Sequence, residues 1–204
     1  MKNNTLLGLI FAFACSGLLV ASASEKEWSD KYYGGFGTND GTSAITIFHN
    51  FSQEVPEGLK AEVLAEIIDR AKQQHDNKII WAVLSFLNGS EGRQIEWNNH
   101  LRDSLYPLAK SPDEVVRSLL VDLLGHVRKD DARELILSFQ NDPSEKVRSS
   151  FIHSIVEWPD GEQIYQKFIQ DHQSDSNYAA SIQYAKNCIL ANRKVLKDSN
   201  KSQK

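Results

Sequence analysis

The chain has 204 residues, with 23 lysines and arginines against 27 aspartates and glutamates and a net charge of −4. That length suits one domain plus a short leader, and the acidic balance argues against nucleic acid as a partner. Two cysteines, one of them inside the apolar first twenty residues, exclude a disulfide framework.

Lys2, the apolar run from Leu6 to Ala14 and the ending Ala21-Ser22-Ala23 follow the order of an export signal: positive start, hydrophobic middle, small-residue cleavage site. Residues 1–23 are expected to be removed, which leaves a net charge of −5 and Cys188 as the one cysteine. A retained membrane span fits less well, because Ser16 and Gly17 interrupt the run and no charge cluster follows. A lipoprotein anchored through Cys15 is the other alternative, opposed by Ala12 where a leucine-like residue is expected. The mature chain is expected in the periplasm or outside the cell, without a membrane span.

Residues 24–56 carry Tyr32-Tyr33-Gly34-Gly35-Phe36-Gly37 and Asn39-Asp40-Gly41, turn formers among aromatics that disfavour helix. The β-branched and aromatic stretch from Ala44 to Phe48 allows one short extended segment. The region reads as an irregular N-terminal extension. Its aromatics Trp28, Tyr32 and Tyr33 either bind a partner, dock on the chain itself or cap the first helices.

From Glu57 the period becomes helical, with Leu59, Val63, Leu64, Ile67, Ile68 and Ala71 on one stripe. Amphipathic segments follow at about 77–87, 93–109, 112–127, 131–140, 143–158, 161–171 and 177–192, giving eight helices. Lys194 to Lys204 is polar and lysine-rich, so residues 193–204 read as a disordered tail.

The segment Ser111-Pro112-Asp113-Glu114-Val115-Val116-Arg117 returns as Asp142-Pro143-Ser144-Glu145-Lys146-Val147-Arg148 after 31 residues. A further step of 31 reaches Tyr178-Ala179, and a step back of 36 reaches Ile80-Trp81. Proline at a first-turn position, with Ser111 or Asp142 capping the free amides, starts each helix sharply. Val116, Leu120 and Leu124 align with Val147, Phe151 and Ile155, then with Tyr178, Ile182 and, after a one-position shift, Ala185 and Ile189, as one core between layers.

This Asp-Pro turn followed by Val-Arg resembles the HEAT-like repeats of phycobilin lyases and bacterial scaffolds. The resemblance covers about residues 57–192, and its distinctive motif covers Pro112 to Arg148. It implies an all-α fold, a short right-handed α-solenoid of about four helical hairpins. It also implies a ladder in which Asp142 meets Arg148, with Arg117 as the preceding rung, whereas Trp81 and Ala179 stand where arginine would be.

No residue pattern carries catalysis. The six histidines include no i, i+4 pair and no neighbouring cysteine or glutamate, so no metal site is expected. The glycines at 35, 37 and 41 have the wrong spacing for a phosphate loop. Cys188, among Ala185, Ile189 and Leu190, reads as a structural thiol. Five positions beyond the arginine site, however, successive repeats present Phe86, Asp122, His153 and Tyr184, which stacking places in a row. That row is the candidate surface for a protein or peptide partner, or simply a solvated helix face. The function expected is an exported binding module without cofactors. The alternative, suggested by the lyase resemblance alone, is a ligand-loading lyase or other enzyme.

Overall fold

The computed structural model describes residues 23–36, 43–127, 130–156 and 158–201; residues 1–22, on which the expected export signal and Cys15 fall, and residues 37–42 lie outside them. Among the described residues the fold is all-α. Its helices are α1 (Glu25–Phe36), α2 (Ala44–Glu54), α3 (Glu57–Gln73), α4 (Asn77–Asn88), α5 (Asn99–Leu105), α6 (Glu114–Val127), α7 (Asp130–Ser138), α8 (Glu145–Ser154), α9 (Gly161–His172) and α10 (Ala179–Lys201).

The N-terminal region corrects the expectation of an irregular extension, since it forms two helices. A capping box opens α1: the Ser24 amide donates to Glu27 Oε2 at 2.6 Å and the Glu27 amide to Ser24 Oγ at 3.3 Å. Ser43 Oγ accepts from the Thr46 amide at 3.3 Å and starts α2 where an extended segment was expected. Ile47, Phe48 and Phe51 of α2 and Val55 after it share one buried face, and that burial outweighs their β-propensity. Tyr32 meets Phe51 edge-on at 5.3 Å between centroids, and its hydroxyl donates to Glu54 at 2.8 Å. The Tyr33 hydroxyl bonds Gln74 at 2.8 Å while the Arg70 guanidinium lies 4.1 Å above its ring. The N-terminal aromatics are thus docked on the chain's own helices.

Asp76 caps α4 by accepting from the Lys78 and Ile79 amides. The preceding turn closes with the Asp76 amide on Ala71 O at 2.9 Å, which puts His75 at φ 55° in the left-handed region that usually takes glycine. The single helix expected over 93–109 is instead interrupted: 3-10 turns at Gly92–Gln94 and Tyr106–Lys110 flank α5. Asn98 starts α5 by accepting from the Leu101 amide, and Pro107 tightens its end. The expected disordered tail is also corrected, because α10 continues to Lys201 and Arg193 Nη2 pairs with Glu162 of α9 at 2.5 Å.

The helices pack in two rows. The even-numbered row runs without interruption, α2 on α4, α4 on α6, α6 on α8 and α8 on α10, while in the odd row α1 packs on α3 and α3 on α5. Between the rows lie Val116, Leu120 and Leu124, then Val147, Phe151 and Ile155, all fully buried, continued by Ile182 and Ala185. The α6–α8 contact is the closest-fitting. Ser118 and Ser150 hydroxyls meet at 2.8 Å and Ser154 Oγ donates to Val121 O at 3.0 Å. A Cβ on Gly125 would stand 2.6 Å from Ser154 Cβ, so only glycine permits this approach.

Candidate binding face

The repeat turns are joined by polar bonds, and these correct the expected ladder. Arg117 forms a bidentate pair with Asp142, Nε–Oδ2 at 2.7 Å and Nη2–Oδ1 at 2.9 Å, so the carboxylate serves the arginine of the preceding hairpin. Arg148 reaches Asp142 only through the backbone, donating to the carbonyls of Asp142 at 2.8 Å and Pro143 at 2.9 Å. Its other bonds go forward to Asn177 O at 2.6 Å and Ser181 Oγ at 3.1 Å, with its guanidinium 4.3 Å above the Tyr178 ring. Arg117 repeats the pattern, donating to Ser111 O at 2.7 Å. The caps also differ from expectation. Ser111 Oγ and Asp142 Oδ1 accept from the amides two residues on, those of Asp113 and Ser144, and Asp113 caps α6 through Val115. Burial raises the Asp142 carboxyl, but the Arg117 hydrogen bonds and the Ser144 amide outweigh it and hold the group below the ordinary aspartate range.

The row of Phe86, Asp122, His153 and Tyr184 lies on α4, α6, α8 and α10 in turn. The Tyr184 hydroxyl stands 3.5 Å from His153 Nδ1. The four are not equally exposed. His153 is open to solvent, Tyr184 is half-buried, and Phe86 stacks on Phe48 at 4.5 Å with planes 5° apart. Asp122, expected on an exposed face, is half-buried at the α6–α8 contact. Burial pushes its carboxyl above the ordinary aspartate range, against the Ser150 hydrogen bond and the charges of His153, His126 and Lys146.

Among the described residues, an apolar groove and a polar notch lie along this row. Between α2 and α4, an apolar groove of about 500 Å³ is lined by Ile45, Phe48, Trp81, Ala82 and Phe86. Ile45 is 82% exposed there, the more exposed of the two large apolar side chains that stand out in solvent among the described residues. Between α6 and α8, a polar notch of about 330 Å³ is lined by Arg93, Asp122, His126, His153 and Ser154. Arg93 comes from the 3-10 turn after α4; its Nε donates to Asn88 O at 2.8 Å and its Nη2 stands 2.8 Å from His126 Nε2.

Sequence reasoning missed the groove, Arg93 and His126. His126 was within reach, since it follows Asp122 by four residues and shares its face. The groove was hidden because it needs α2, which was read as extended. Among the described residues no grouping of three or more metal-ligating side chains occurs, and no helix is long and apolar enough to cross a membrane. Cys188 is half-buried, and burial pushes its thiol above the ordinary range, away from the reactive thiolate. The arrangement offers apolar contact, hydrogen bonds and positive charge for recognition. No protein family, curated protein or solved structure matches this chain.

Proposed function

We propose that this chain is an exported binding module of the HEAT-like type, a short right-handed solenoid that holds a segment of a protein partner across its even-numbered row. The observation that carries the reading is the alignment of an apolar groove and a polar notch along the register of Phe86, Asp122, His153 and Tyr184. A continuous row of stacked helices offers a long surface at little cost in stability, the usual use of such folds.

A photo-crosslinking amino acid placed at His49 on α2 or Gln183 on α10, both exposed, is expected to give a discrete protein adduct in envelope extract. The same label at Glu134 on α7 or Gln166 on α9, exposed on the odd row, is expected to give none. Adducts only from the odd row would overturn the assignment. Export is tested by sequencing the mature N-terminus. A start at Ser24 supports it, a lipid on Cys15 replaces it with the lipoprotein form, and an intact Met1 overturns both.

A further inference from the structure

We infer the chemistry of the segment that this face accepts: an extended peptide carrying one large apolar side chain and one carboxylate, about five or six residues apart. The inference rests on the even row being the binding face. It begins from the contrast between the two depressions. The groove between α2 and α4 presents Ile45, Phe48, Trp81, Ala82 and Phe86, a mainly apolar lining open to solvent, to which His49 and Glu91 add polar groups. Such a surface is stabilised by an apolar side chain of a partner.

The notch between α6 and α8 has the opposite character. Arg93, His126 and His153 line it with Asp122 as the one acidic side chain, and Lys146 of α8 lies close enough to act on that carboxyl. In a chain with a net charge of −4, the two fixed cations Arg93 and Lys146 here face a single carboxylate, a local excess of positive charge. The Asp122 carboxyl is partly withdrawn into the helix contact, where Ser150 serves it. The arginine is held in place by the Asn88 carbonyl through Nε and by His126 Nε2 through Nη2, which leaves its Nη1 end for a ligand. A carboxylate is the complementary group, since the Nη1 end of the guanidinium can give it a charge-assisted hydrogen bond.

The stack sets the spacing. From the α2–α4 groove to the α6–α8 notch is two helix spacings, and helices pack 8–10 Å apart, so the two anchors lie ~16–20 Å apart. An extended chain covers that with about five or six residues. An α-helical segment would need about eleven to thirteen.

The test uses the whole mature chain and Gly/Ser peptides of equal length holding one Phe and one Glu, in both orders, at spacings of two, five and eleven. Amide shifts are followed by NMR during titration. One order at spacing five is expected to bind roughly tenfold more tightly than spacing two or its Glu→Gln form, about one charge-assisted hydrogen bond. Gly89 and Ser90 at the groove should shift together with Gly125 at the notch. Ile45→Asp and Arg93→Glu, both at exposed positions, should each weaken binding roughly tenfold with an unchanged melt. Equal affinity at all spacings, tightest binding at eleven, or indifference to either variant would overturn the inference. Sodium acetate alone shifting the notch as strongly as the peptide would show a carboxylate site without the apolar anchor, which also overturns it. If no peptide binds while crosslinks still form at His49 and Gln183, the peptide chemistry is wrong and the binding face stands; loss of both removes the face itself.

Discussion

Asp142→Asn isolates the bond that joins two repeats. The native carboxylate takes two donors from Arg117 and one from the Ser144 amide, and the two side chains are only 7% and 11% exposed. Asparagine keeps the shape and one acceptor but leaves a mostly buried guanidinium without its counter-charge. Breaking such a pair costs about 3–5 kcal/mol, or a fall in Tm of roughly 6–20 °C for a domain of this size. The pH dependence has a definite sign. The Asp142 carboxyl lies below its ordinary range, so its contribution is present above the ordinary aspartate value and is lost as pH falls through the folded value. Thermal melts of both proteins should therefore differ most near neutrality and converge under acid. A double-mutant cycle with Arg117→Met should show coupling above about 1.5 kcal/mol, and one with Arg148→Met below about 0.5 kcal/mol, because Arg148 touches only the backbone at that residue. The reverse order of couplings would refute the assignment of the carboxylate to Arg117.

Gly125→Ala should lower stability by about 1–3 kcal/mol, with most of the loss recovered in Gly125→Ala/Ser154→Gly, as read from denaturant midpoints. For Asp122, whose raised carboxyl favours the protonated form in the folded state, the stabilising contribution is full below the ordinary aspartate value and is lost as pH rises. Asp122→Asn is thus expected to raise Tm at pH 7, with a gain that shrinks on acidification. His100 bridges α3 and α5, with Nδ1 2.5 Å from Glu62 and Nε2 3.2 Å from Asp69, and the Glu62 hydrogen bond foremost raises its pKa. Its contribution is complete below the ordinary histidine value and is lost as pH rises through the folded one. His100→Gln should cost stability at pH 6 and little at pH 9, as followed by thermal melts.

The core of the stack was legible because its residues recur with the helix period and the repeat. Val116, Leu120 and Leu124 and their counterparts in α8 all fell where the register put them. The row from Phe86 to Tyr184 followed from the same register. The first two helices were missed for an opposite reason, local signals that point away from helix. Gly34 and Gly35 meet no steric demand, since a Cβ on Gly34 would find nothing within 4 Å and one on Gly35 only Ile47 at 3.8 Å. The capping box of Ser24 and Glu27 was nevertheless written in the sequence. The destination of the Asp142 carboxylate was not, because Asp142 stands six residues from one arginine and 25 from another, and only the stacking of α6 on α8 selects the distant one.

Arg117 and Arg148 occupy equal places in successive repeats, yet they close their joints with different acceptors. Arg117 holds the next turn through a carboxylate, and the neighbouring Glu114 carboxylate accepts from Ser144 at 2.7 Å. Arg148 holds its next turn through the Asn177 carbonyl and the Ser181 hydroxyl, which do not titrate in any ordinary range. Acid therefore loosens one seam and spares the other. The acid-sensitive seam is the one between α6 and the turn before α8, where the Ser118–Ser150 bond and the shared apolar core keep the two helices joined after the carboxylate is protonated.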